Sequence, residues 1–394
     1  MAYKGAVMVL ACNMDIDACF SGNYAEARAR FRAAVPAHGG RLESIANPNT
    51  GPGGEELAID LGWFGPADAS KVLLLVSATH GVEGFCGSGA QLDWMLSGSS
   101  ASLPADTAAL LVHAINPHGF AWLRRVTEEG VDLNRNFFPA GGELPRNPGY
   151  EELANAFVPV DFHPETLAAA DVAIAAFKAR NGSAAVDHAL SFGQHTNPEG
   201  VYYGGHEAAW SMRMLAKICA DFRLGNRASV AIIDYHTGLG PHGYGEPIVG
   251  HRPGESGQLR CRAWYGDALG EPLLGNSSSI PIAGLTQYAW ARAIGDDRLT
   301  FIALEYGTYP LDQGQRALRD DHVLHRRGLP DWNDPECQRI KIALRKFNYP
   351  DVRPWKEMVV FRSRQVIGQA LAGLSGVPAG EYSTGVAAAR WVAS

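Results

Sequence analysis

The sequence predicts an α/β protein, a three-layer α/β/α sandwich, and three observations lead there. Short continuous apolar runs recur along the chain, at Val72 to Ala78, Leu110 to Ile115, Val230 to Tyr235 and Thr300 to Leu304, and such runs mark strands covered on both faces. Helix-forming segments separate them, the alternation that builds helices onto both sides of a sheet. Hydrophobic residues make up 46% of the chain and charged residues 19%. That composition buries enough apolar surface to offset the ordering entropy, so a disordered chain is excluded.

Each element has its own signal. Segment 23–36 carries helix formers closed by Pro36, and 56–63 alternates as a strand does. A helix follows the first buried run over about 86–96, and 164–180, 207–221, 312–326, 334–347 and 355–374 also read as helices. No repeat, linker or shift of composition divides the 394 residues. The expectation is one domain over 1–394, with a core of about 20–374 closed by C-terminal helices of about 312–374. A net charge of −7 offers no basic surface to nucleic acid or anionic lipid. The longest apolar runs fall far short of the roughly 20 residues of a membrane span. The six cysteines are scattered without CxxC spacing and read as reduced thiols, and the first twelve residues only faintly imitate a secretory leader. Both point to the cytoplasm. Residues 376–394, rich in Gly, Ala and Ser, read as a surface tail or edge element.

The chemistry is positional. His80, the polar segment after Ile115, His236 and Glu305 each stand just past or at the end of a buried run, the edge of an open α/β sheet where sites are built. His80-x-x-Glu83 alone is weak, since a chain with 13 histidines produces that spacing about once by chance. Flanked by Gly81 and Gly84 directly after a strand, its imidazole and carboxylate can converge on one cation. A histidine from another strand, best supplied by His236, completes the three-ligand arrangement of catalytic zinc, with one position open. Glu305 is the carboxylate base such a site needs. Arg125, Asn134 and Arg135 suit an anionic substrate group and a developing oxyanion, and Asp132 suits the free ring N–H of a metal-bound histidine.

These residues resemble a family. His80-x-x-Glu83, Asn116-Pro117-x-Gly119-Phe120, Gly130 to Phe137, His236 and Glu305 are similar to the zinc carboxypeptidases of the M14 class. The wording Thr79-His80-Gly81-Val82-Glu83-Gly84-Phe85, Asp234-x-His236-Thr237-Gly238 and Glu305-x-Gly307-Thr308-Tyr309 is closer still to a bacterial branch, the DUF2817 family. The resemblance runs from about 20 to about 374. It implies a mixed, mainly parallel eight-stranded sheet between helices, and one Zn2+ per chain on His80, Glu83 and His236. It further implies Glu305 promoting attack by the metal-activated water, Arg125 polarising the scissile carbonyl, and Asn134 with Arg135 holding a terminal carboxylate. The implied substrate is a small peptide or acyl-amino acid with a free carboxylate. Hydrolysis of N-acyl amino acids or small amide conjugates by the same zinc site is the alternative chemistry, and a non-catalytic zinc- or ligand-binding protein is a further one.

Two departures stand out. The stretch between Asn136 and His236 is long, so about 138–205 reads as an insertion that reshapes the mouth. Segment 280–294 has no clear match to the family's specificity positions; Tyr288 is its candidate for a mobile tyrosine, and Arg292, if it points into the pocket, favours an acidic substrate side chain. Other readings stay open. Arg124 is an alternative to Arg125, Glu305 suits an ion pair with either, and Asn134-Arg135 suits a turn with a surface charge. His242/Glu246 and His251/Glu255 sit among Pro and Gly and read as loop, Gln194-His195 and Tyr203 to His206 as solvated loop beside the cleft, and Cys86 as core.

Overall fold

In a computed structural model of the protein, the structure describes residues 15–138, 143–326, 328 and 330–376. The leader-like first residues, Cys12 and nearly all of the C-terminal tail lie outside the described residues. The elements run α1 (Tyr24–Ala37), β1 (Arg41–Thr50), β2 (Glu56–Phe64), β3 (Lys71–Val76), α2 (Gly84–Leu96), β4 (Thr107–His113) and α3 (Pro117–Ala121). Three helices follow, α4 (Pro148–Phe157), α5 (Pro164–Asn181) and α6 (Ser183–Ser191), then α7 (Trp210–Asp221), β5 (Ser229–His242) and β6 (Gly245–Ile248). The chain closes with α8 (Ser256–Tyr265), α9 (Thr286–Ile294), β7 (Leu299–Gly307), α10 (Leu311–His325), α11 (Pro335–Asn348) and α12 (Arg353–Leu374).

The α/β/α sandwich is as expected, around one mixed sheet of order β1-β2-β4-β3-β5-β7-β6. Seven strands, rather than the eight implied by the resemblance, form it among the described residues. Its centre, β4-β3-β5-β7, is parallel, while β1, β2 and β6 are antiparallel to their neighbours. Alternation along each central strand feeds two cores. Leu73 and Leu75 of β3, with Ile233 of β5 and Leu304 of β7, face α1, α2 and α12. Val72, Leu74, Ile232 and Phe301 face α7 and α9. Fully burying such aliphatic side chains contributes about 1.5–3 kcal/mol each, and the charged residues of these runs gather toward their C-terminal ends. A third cluster joins α4, α5 and α6 to α10 and α11. It places the segment expected as an insertion against the hairpin that follows β7. No helix of the described residues is long and apolar enough to cross a membrane.

Three expectations need correction. Glu246 lies in a strand, β6, and His242 ends β5, so neither is loop. Gln194 and His195 are buried rather than solvated. Tyr203, Gly204 and Gly205 are buried as well, and only His206 of that stretch is exposed.

Candidate metal centre and cleft

The C-terminal ends of β3, β5 and β7 are neighbours at the centre of the sheet, and the proposed site forms across them. His80 precedes a single 3-10 turn, Gly81–Glu83, that brings His80 and Glu83 onto one side. That turn packs against another backbone: a Cβ on Gly81 would lie 2.0 Å from the carbonyl carbon of Gly119. The two glycine-bearing motifs therefore occur together because their main chains touch. His236 and Glu305 sit opposite one another in the parallel register of β5 and β7.

Three donor atoms converge. Nδ1 of His80 and Nδ1 of His236 are 3.2 Å apart, and Glu83 brings Oε1 to 2.9 Å from the first and Oε2 to 3.1 Å from the second. Tetrahedral zinc with bonds of about 2.0–2.2 Å needs its ligands about 3.3–3.6 Å apart, so the donor set fits with only small adjustment. The other ring nitrogens are backed by carboxylates, as metal-bound histidines require. Nε2 of His80 lies 3.2 Å from Asp132 Oδ1, and Nε2 of His236 lies 3.1 Å from Asp234 Oδ2, without the alignment of a hydrogen bond. Nε2 of His80 is also 2.7 Å from an Arg125 nitrogen. A neutral ring serves one of the two; when a cation takes the Nδ1 lone pair, the proton resides on Nε2 and the Asp132 bond is the one kept.

Charge makes the same point. Glu83, Asp132, Asp234 and Glu305 are buried around the site, and Arg125 pairs with the first two of them. A group of carboxylates gathered around two imidazoles suits a divalent cation. Burial pulls the His236 ring down, but Asp234 and Glu83 hold it well above the ordinary imidazole range, a sign that the site demands positive charge. Burial likewise pushes Glu83 up, and His80 and His236 hold it well below the carboxylate range. Asp132 is held low against burial by Arg125 and His80. Glu305 goes the other way: burial and then the neighbouring Glu83 carboxylate push it up to about 8.

The adjacent arginines part company. Arg125 donates through Nε to Asp132 at 2.8 Å and reaches Glu83 at 3.2 Å, whereas Arg124 turns away to Asp321, 3.0 Å distant. Asp132 also caps the turn 133–135, accepting from Asn134 N at 2.9 Å. Asn134 Oδ1 accepts from the Thr286 amide and hydroxyl, at 3.1 and 2.7 Å, which ties α9 to the site. Arg135 is 3% exposed, donates to the main-chain oxygens of Asn134 and Ser191, and leaves its Nε without a partner. No carboxylate of the described residues pairs with it, so it is not the surface charge of the alternative reading. Glu305 accepts from Leu239 N at 3.0 Å and makes no ion pair among the described residues.

The cleft that holds these residues, about 1450 Å³, is walled on one side by Asp187, Ser191 and Tyr202 and on the other by Leu311, Leu318, Leu344 and Phe347. A recess of about 540 Å³ opens beside His236 and Asn134, lined by Ile248, Ile280, Ile282, Leu285, Phe301 and Ala303. Tyr288 lines this recess and not the main cleft. Arg292 reaches neither; it lies over the Phe137 ring at 4.2 Å and donates to Phe138 O. Its expected influence on the substrate side chain therefore has no geometric basis. Tyr202 is the residue that sequence reasoning missed. Of five described non-glycine residues with positive φ, three flank the site: Ala78 (62°), Leu123 (49°) and Tyr202 (53°). Such strain persists only where surrounding contacts over-determine it.

Comparison with solved structures gives distant likenesses. A carboxypeptidase A from Helicoverpa armigera is 14% identical, with 90% of this chain and 73% of that one covered and a TM-score of 0.46. A murein-tripeptide amidase from Escherichia coli O157 is 17% identical over 72% of this chain and 92% of that one, TM-score 0.32. A succinylglutamate desuccinylase from Chromobacterium violaceum is 16% identical over 82% and 74%, TM-score 0.32. No curated protein sequence matches. The family described as "Protein of unknown function (DUF2817)" matches residues 20–362. The chain belongs to the DUF2817 family.

Proposed function

We propose that this protein is a zinc-dependent hydrolase that cleaves an amide bond next to a free carboxylate, in the manner of a metallocarboxypeptidase. The observation that carries this reading is the convergence of two imidazole nitrogens and a carboxylate beside Glu305, which has no ion pair among the described residues, and two guanidiniums in one cleft. Bound zinc supplies a Lewis acid for the carbonyl and lowers the pKa of water toward ~7. Glu305 takes the proton from the attacking water and passes it to the leaving amine, a task for which its carboxylate, beside the converging donors and without an ion pair among the described residues, is placed. Arg125 donates to the carbonyl oxygen as charge develops there. Arg135, whose buried charge has no ion-pair partner among the described residues, takes the substrate carboxylate with the Asn134 amide.

The recess beside His236 bears no Asp, Glu, Lys or Arg on its walls, so it suits an apolar side chain on the carboxylate-bearing residue. Among N-acyl amino acids, those of Phe and Leu are expected to turn over at least about tenfold faster than those of Asp, by a transfer term of roughly 1.5–3 kcal/mol. Equal rates would overturn this specificity. The apolar wall of Leu311, Leu318, Leu344 and Phe347 favours a second reading, in which the other half of the substrate is an apolar acyl group rather than a peptide. Release of C-terminal residues from peptides, compared with cleavage of acyl-amino acids, decides between the two. For the zinc site itself, metal analysis of protein purified without added zinc should find about one zinc per chain, lost in His80→Ala. Well below one zinc, unchanged by that substitution, would refute the site.

A further inference from the structure

Tyr202 stands on the segment between α6 and α7, far in sequence from every residue assigned above, yet it lines the cleft. Its backbone is left-handed, φ 53°, a conformation that an aromatic residue rarely adopts. Ties on both sides hold it there. Gln194 N donates to Tyr202 O at 3.1 Å, and Asp132 N donates to Tyr203 O at 2.8 Å, so the segment is fastened to the loop that carries Asn134 and Arg135. The guanidinium carbons of Arg125 and Arg135 lie over the Tyr202 ring, 5.1 and 5.2 Å from its centroid, within cation–π range.

Arg125 is already paired with Asp132 and Glu83, so it is Arg135 that needs such a partner. Arg135 is pulled down by burial and then by the like charge of Arg125, against the opposing pull of Asp132. Its hydrogen bonds go to main-chain oxygens and leave Nε free. Its stem runs over Gly193, where a Cβ would come within 2.6 Å of Cδ. One segment thus supplies both the bed under the Arg135 stem and the ring under its head.

We propose that Tyr202 is a positioning residue: its ring face orients Arg125 and Arg135 together, so that the forks meet a substrate carboxylate and the neighbouring carbonyl already aligned. This rests on the carboxylate reading of the cleft given above. The contact is through the ring face, so Phe should replace Tyr. Leu should not, and neither should Gly, which suits the left-handed backbone but has no ring.

Calorimetry on the zinc-loaded protein with 3-phenylpropionate and its carboxamide tests this without turnover. Wild type is expected to prefer the carboxylate by about tenfold or more. Tyr202→Phe should keep that preference, while Tyr202→Leu and Tyr202→Gly should cut it by about fivefold or more with zinc content unchanged. With an acyl-amino acid substrate the same two variants should raise KM more than they lower kcat. A preference kept in Tyr202→Leu and Tyr202→Gly overturns the role of Tyr202. No preference in wild type overturns the carboxylate reading, and this inference with it.

Discussion

Glu305→Gln replaces one carboxylate oxygen by an amide nitrogen, keeping size and removing the proton acceptor. Because Glu305 contacts none of the three converging donor atoms by hydrogen bond, the variant should hold its zinc while kcat on an acyl-amino acid falls by about 10²–10⁴-fold. Metal analysis beside steady-state rates checks both halves, and undiminished activity would remove Glu305 from the reaction. At this scale much of the site was legible. His80, His236 and Glu305 each sit at or just past the end of an apolar run, so strand boundaries point to them, while Glu83 was legible only through its spacing from His80. Arg124 and Arg125 could not be separated in that way. The structure separates them by their partners, Arg125 turning inward to Asp132 and Glu83 and Arg124 toward Asp321. Tyr202 was beyond reach, because no periodicity links a loop residue to a cleft whose nearest strand-borne member, His236, lies 34 positions further on.

Behind the arginine loop, Asp321 of α10 is fully buried between Arg124 and Lys341 of α11, at 3.0 and 2.5 Å. The pair of cations on one carboxylate ties the α10–α11 hairpin, one wall of the cleft, to the segment that carries Arg125. Asp321→Asn leaves both cations without their counter-charge, and removing one partner of a buried ion pair destabilises by about 3–5 kcal/mol. Urea unfolding should show a loss of that order, and a change below about 1 kcal/mol would mean that the cations find water or other partners. Elements differ in how they announce themselves. The central strands β3, β4, β5 and β7 read directly as apolar runs, since both their faces are covered. The edges do not: β1 is mostly exposed and contains Pro48, and β6 is four residues with Pro247. Proline is tolerated at an edge, where one side of the strand has no ladder to complete, and it disguises these segments as turns.

For the molecule as a whole, buried histidines set the response to acid. His113 and His322 are both held at about 4, chiefly by burial, against 6.5 when free. Between those values the unfolded chain binds protons that the folded one refuses, so their contribution to stability is complete above about pH 6.5 and is lost as pH falls toward about 4. Tm should decline through that window, and His322→Gln should flatten the decline. An unchanged slope would place the titration elsewhere.

The shared rung of His236 and Glu305 on β5 and β7 has a consequence for how this protein can change. Strand side chains alternate faces, so one residue inserted or deleted within β7 before Glu305 would turn the carboxylate to the opposite side of the sheet and present an apolar neighbour in its place. Ligand and base are phased like teeth on facing racks, and the strands that carry them can accept substitution but not a change of length. The mouth is free of that restriction, since its walls come from α6, the segment around Tyr202 and the α10–α11 hairpin, all reached through loops. New substrate preferences should therefore arise by remodelling these connections, and a library of length variants confined to them should retain metal binding where the same library in β5 or β7 loses it.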